Sequence, residues 1–125
     1  MGALIPGKKF LLIAQQWSRI SEIYPKARLE VIGGSATYGK YSDHPLVPCE
    51  DSYAEAILRE IPREDIEQGR VVFHGNLGPE KVEVLRRAHA ALQNPTGATE
   101  AFPASPLDCM AEGVPVIASD DFGMG

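Results

Sequence analysis

Apolar positions recur at helical spacing from Phe10 through Ile13, Ala14, Trp17, Ile20 and Tyr24, and Pro25 ends the pattern. This predicts a core-facing amphipathic helix, with Phe10, Trp17 and Tyr24 in the core. Leu29 to Ile32 is a short apolar run entering Gly33-Gly34, as expected of a buried parallel strand that ends in a loop. Tyr38 to Asp51 mixes Gly, Ser, Pro and charge without period and reads as a long surface loop. Helical spacing resumes over Tyr53 to Ile61 and stops at Pro62. Val71 to Phe73 is the next strand, followed by a Gly75-Asn76-Leu77-Gly78 turn and a helix opening at Pro79, a favoured first helical residue. Ala90 to Gln93 predicts a third strand, Ser105 to Glu112 a helix and Val114 to Ala118 a fourth strand.

Strands alternating with helices imply an α/β fold: a doubly wound, Rossmann-like parallel sheet in a three-layer α/β/α arrangement, as one domain over residues 1–125. Ligands of such sheets bind beyond the carboxyl ends of the strands, so the loops at Gly33, Gly75, Glu100 and Ser119 should open onto one edge.

Composition narrows the function. With 125 residues the chain can bury a core without disulfides or metal. A net charge of −5 without a dense basic cluster argues against nucleic-acid binding, and any anionic ligand must be held by local groups. Cys49 and Cys109 lie far apart, and His44, His74 and His89 show no metal-ligand spacing, so neither a disulfide framework nor a metal site is expected. No apolar run is long enough to span a bilayer and no signal peptide is evident, which makes the cytoplasm the expected location.

The densest chemistry lies in Glu100 to Ser119, EAFPASPLDCMAEGVPVIAS. Glu100 precedes a helix start and Asp108 follows after seven intervening residues. Two carboxylates, backbone N–H groups and a helix N-terminus in one place suit a polyhydroxylated, phosphate-bearing ligand. Ser105-Pro106-Leu107-Asp108 is also a helix-start pattern, with Ser at the cap, Pro at the first position and an acid at the third.

This stretch resembles the E-x7-E signature of retaining GT-B glycosyltransferases, in particular the family 4 (group 1) transferases, with Asp108 in place of the second Glu. Met110 to Ser119, MAEGVPVIAS, is similar to the family's run of helix end, Gly turn and buried strand. Gly2-Ala3-Leu4 and Lys8-Lys9-Phe10 resemble its G-R-L-x-x-x-K-G-x opening, with Ala3 at the Arg position. PKARLEVIGG (Pro25 to Gly34) and VVFHGNL (Val71 to Leu77) fall in the family's order, so the resemblance covers essentially the whole chain.

The resemblance implies a partial GT-B C-terminal domain that binds a nucleotide-sugar donor and needs no further cofactor. It implies that Lys8 contacts the diphosphate and that Glu100 accepts hydrogen bonds from the sugar, the two residues assigned to catalysis. Asp108 would take the ribose hydroxyls, Gly33 and Gly34 would let the backbone approach the donor, and Gly75, Asn76 and Leu77 would face the base. Ala104 and Ser105 would offer N–H groups to an anion; Pro103 and Pro106 have none to give. The resemblance also places the acceptor on an N-terminal domain missing from this chain, so the chain alone is expected to show little transfer. A lipid acceptor would bring the enzyme to a membrane, and uncovered strand edges would favour oligomers. Two other readings stay open: a non-catalytic or relic donor-binding domain, whose Ala3 and Asp108 record a loss of activity, and a GT-B-type epimerase.

Gly34-Ser-Ala-Thr-Tyr-Gly39-Lys40 matches most of a phosphate-binding P-loop, but Tyr41 stands where Ser or Thr would hold magnesium. Asp43-His44-Pro45 then breaks the chain where such a loop requires a helix start, which argues against an NTPase.

Overall fold

The structure, a computed structural model, describes residues 1–35, 44–93, 95, 96 and 104–120. A short 3-10 turn, Pro6–Lys8, leads through Lys9, in the left-handed region at φ 58°, into helix α1, Phe10–Ile23. Phe10, Ala14 and Trp17 fall on one face of α1 and are buried, as their spacing predicts. Tyr24 departs from expectation. It caps the helix with its N–H on Ile20 O and is 65% exposed, because the backbone leaves helical geometry at this residue and carries the ring off the apolar stripe.

Strand β1, Leu29–Ile32, pairs in parallel with β2, Val71–Gly75, with Leu29 opposite Val71 and Val31 opposite Phe73; the register shifts at Ile32, which lies opposite Gly75. Strands β3, Ala91–Leu92, and β4, Val116–Ile117, form a second parallel pair, shorter than the two apolar runs suggest. Helix α2, Asp51–Glu60, opens two residues before the expected start, and a further helix, α3, Arg63–Glu67, follows Pro62. Pro62 thus serves as the cap residue of a new helix; five residues are too few for periodicity to reveal it. Of the expected surface loop, residues 38–43 lie outside the described residues, 44–50 form no regular element, and Asp51 already belongs to α2.

Helix α4, Lys81–Arg86, starts two residues beyond Pro79, after a turn closed by Lys81 N–H on Gly78 O and Val82 N–H on Pro79 O. Helix α5, Ala104–Ala111, contains Ser105 and Pro106 within its first turn, so Ser105 is not the cap. The architecture is therefore α/β, with five α-helices and two small parallel sheets among the described residues.

Met1–Leu4 lies between the two strand pairs. Gly2 N donates to Ile32 O (2.9 Å) and Leu4 N to Gly34 O (3.3 Å), while the amino group of Met1 reaches Leu92 O (3.4 Å) on the other side. Gly33 makes this approach possible. Its φ is +134°, and a Cβ there would stand 1.6 Å from Gly2 O.

The core falls into two clusters. The larger gathers α1, α2 and the β1–β2 pair around Trp17, Val31, Ile57, Ile61 and Val71; the smaller packs Ile32 with Val84, Leu85, Cys109 and Val114. Burial of each large side chain contributes roughly 1.5–3 kcal/mol. Trp17 also donates its indole N–H to the buried Asp65 (2.7 Å), whose other oxygen takes Arg70 (3.3 Å), and the Arg70 guanidinium lies 5.6 Å from the Trp17 ring centre. This fixes α3 to α1 and satisfies a buried carboxylate that would otherwise be costly.

Gly33→Ala should destabilise the chain by more than about 2 kcal/mol in urea unfolding, since both the dihedral and the contact with Gly2 O must give way. Gly7→Ala, where a Cβ meets nothing within 4 Å, is the control and should cost less than about 1 kcal/mol. Equal effects of the two would show that the approach of Met1–Leu4 to β1 is not close.

Candidate functional site

The parallel pairing brings the carboxyl ends of β1 and β2 together. Gly33 N donates to Gly75 O at 2.7 Å, and both glycines have positive φ, +134° and +67°. A Cβ on Gly34 would lie 3.1 Å from Pro48 O and 3.6 Å from the side-chain oxygen of Asn76, so these loops are in contact. Gly33, Gly34, Gly75 and Asn76 thus form one cluster. Leu77, next in sequence, packs instead against the smaller core cluster. Leu4, bonded to Gly34 O, leads into the 3-10 turn that carries the half-buried Lys8. Ala3 presents only a methyl group.

A cavity of about 1090 Å³ is lined by Lys8, Ala104 and Ser105 together with Met1 to Leu4 and apolar side chains of α1, β1 and α4. Gly33, Gly34, Gly75, Asn76, Leu77 and Asp108 are not among its lining residues. The expected site residues therefore form three groups: the glycine loops, the cavity wall with Lys8 and the α5 start, and Asp108. Glu100 lies outside the described residues. Ser119, two residues after β4, has a buried hydroxyl without a hydrogen-bond partner among the described residues.

Asp108 sits one turn after Ala104 on α5, and its Oδ2 accepts from Lys81 Nζ at 2.6 Å. Lys81 and Asp108 are 31% and 42% exposed. Sequence reading missed Lys81. It stands 27 residues from Asp108 on a different helix, and no period or motif connects them.

Glu30 on β1 gathers a second charged group. Its carboxylate meets His74 Nε2 at 2.5 Å, Arg28 at 3.3 Å and Arg87 at 3.4 Å. Burial pushes its pKa up, but hydrogen bonds and charge from His74 and Arg87 together outweigh that and hold it below the ordinary value. His44 accepts the N–H groups of Leu46 and Val47 at Nδ1 and faces Glu55 with Nε2, which organises its loop. Among the described residues no group of three or more His, Cys, Asp or Glu could hold a metal ion.

Cys49 and Cys109 are free, buried thiols. Burial, then the nearby Asp51 and Glu50, push Cys49 up to about 11, so it stays protonated at neutral pH and is no nucleophile. No helix among the described residues is long and apolar enough to cross a membrane.

Parallel strands, helices between them and glycine loops where strands end make an α/β, Rossmann-like domain. The family described as "Glycosyl transferases group 1" matches residues 1–125, and the chain belongs to that family. Comparison with curated proteins and with solved structures finds no match.

Because Glu30 has a depressed pKa, its stabilising contribution is complete above the unfolded value, near 4.5, and is lost as pH falls through the folded one. Glu30→Gln should therefore be less stable than the wild type at pH 6. The gap should close as pH falls below about 4.5, read by urea unfolding at each pH. A gap that persists unchanged to pH 3 would contradict a stabilising carboxylate.

Proposed function

We propose that this chain is the nucleotide-sugar donor-binding portion of a retaining GT-B glycosyltransferase that transfers a hexosyl group to an acceptor. The observation that carries the reading is the cluster of Gly33, Gly34, Gly75 and Asn76 where β1 and β2 end, in a chain matched by the group 1 family over its whole length. Met1–Leu4 supports the fold that this requires. Taken as a strand, it gives the order β2, β1, Met1–Leu4, β3, β4, a doubly wound sheet whose order reverses beside Met1–Leu4. Ligands of such sheets lie at that reversal, beyond the carboxyl ends; Lys8, Ala104 and Ser105 share the wall of a cavity that also runs along Met1 to Leu4.

In this reading the donor diphosphate lies against Lys8 and the N–H groups at the start of α5, the ribose against Asp108 and the base beside Gly75 to Leu77. Glu100 orients the sugar. As the anomeric carbon–oxygen bond breaks, its electron pair passes to the diphosphate, and Lys8 offsets the charge that develops. The acceptor oxygen bonds to the anomeric carbon on the same face and gives its proton to the departing diphosphate oxygen, so that charge and protons balance. An N-terminal domain would present the acceptor, in the cytoplasm, and beside a membrane if that acceptor is a lipid.

A second reading, a non-catalytic or relic donor-binding domain, is favoured by Ala3, whose methyl cannot make a charge-assisted contact worth about 1.5–3 kcal/mol. Ala3→Arg and Asp108→Glu separate the two readings: tighter nucleotide binding from either substitution indicates an otherwise intact site, and no gain from either indicates a relic.

Titrating the chain with UDP, GDP and ADP sugars by calorimetry should reveal saturable binding to one base. Glu100→Gln should weaken it roughly tenfold, or about 1.4 kcal/mol. A folded chain that binds none of the three would overturn the donor-site reading.

A further inference from the structure

An aspartate at position 108 is one methylene shorter than the glutamate that the E-x7-E pattern carries, and it does not stand alone. Lys81 Nζ holds its Oδ2 at 2.6 Å across 27 residues of sequence, from the first residue of α4 to the second turn of α5. Both side chains are only partly exposed, at 31% and 42%, so the pair reaches solvent without being fully screened by it. Lys81 also follows directly on the turn that begins at Gly75, its own N–H bonded to Gly78 O. It therefore stands between the loop assigned to the base and the carboxylate assigned to the ribose.

Resting on the donor-site reading above, we propose that Lys81 is a positioning residue for ribose recognition: it fixes the Asp108 carboxylate through Oδ2 so that Oδ1 accepts from a ribose hydroxyl. An aspartate side chain has two soft dihedrals, and a hydroxyl of the ligand gains little from an acceptor that must first be ordered. An ammonium bound to one oxygen removes that cost before the ligand arrives. A merely structural tie between α4 and α5 behaves differently. Exposed ion pairs contribute little to stability, and their loss does not distinguish one nucleotide from another.

The discriminating experiment compares the ribonucleoside diphosphate that binds best, from UDP, GDP and ADP, with its 2′,3′-dideoxy counterpart and with pyrophosphate. The proteins are the full 125-residue wild type, Lys81→Met, Lys81→Gln and Lys81→Arg, each checked for folding by thermal unfolding. The wild type should prefer the ribonucleotide roughly tenfold. Lys81→Met and Lys81→Gln should reduce that preference to less than about threefold while moving the dideoxy compound and pyrophosphate by less than about twofold, and Lys81→Arg should retain most of it. An undiminished preference in Lys81→Met and Lys81→Gln, or an equal loss for all three ligands, would overturn the assignment. If the folded wild type binds no ribonucleotide, the donor-site reading itself fails before any variant is compared, and the role of Lys81 falls with it.

Discussion

The close approach of Met1–Leu4 to β1 is the constraint on which the rest of the structure depends. Among the described residues the β1–β2 and β3–β4 pairs share no ladder with each other, and a two-stranded pair is marginal alone. The backbone of Met1–Leu4 bridges them, with Gly2 and Leu4 bonded to the β1 side and Met1 to Leu92. A side chain at Gly33 would occupy the space of Gly2 O. The same segment then runs into the turn that carries Lys8. One backbone contact thus joins the sheet pairs and places the cation assigned to the diphosphate.

Electrostatics explain why the site must be local. The chain is acidic overall, so no long-range field draws in an anionic donor. The charged groups proposed for the site are Lys8 in the 3-10 turn and Lys81 at the head of α4, paired with Asp108, with backbone N–H groups where α5 begins. Three arginines are engaged structurally: Arg70 with Asp65 and the Trp17 ring, Arg87 with Glu30, and Arg86 with Glu112 at 3.0 Å. With Ala3 in the Arg position, the balance of charge around a diphosphate rests on fewer groups than the family resemblance implies.

Elements with strong period or sharp punctuation were legible in the sequence. The stripe of Phe10, Ala14 and Trp17 gave α1, and the apolar run into Gly33-Gly34 gave β1. The resemblance in Glu100 to Ser119 and Gly2 to Phe10 gave the family, which the whole-chain match shows. Short or non-local features were not legible. Helix α3 is shorter than two turns, the start of α4 depends on how the Gly78-Pro79 turn closes, and Ser105 looks like a cap until α5 is seen to begin at Ala104. The Lys81–Asp108 and Glu30–His74 contacts join residues 27 and 44 apart, and such pairs depend on tertiary packing that no local pattern encodes.

The central claim is that the strand ends and the start of α5 form one ligand site. Backbone amide NMR of the isotopically labelled chain, titrated with a nucleoside diphosphate, tests it most directly. Shifts concentrated at Lys8, Gly33, Gly34, Gly75 to Leu77 and Ala104 to Asp108 are the predicted result. Saturable shifts confined instead to a second cavity, of about 440 Å³ and lined by His44, Pro45, Asp51, Glu55 and Arg63, would contradict it, as would the absence of any shift.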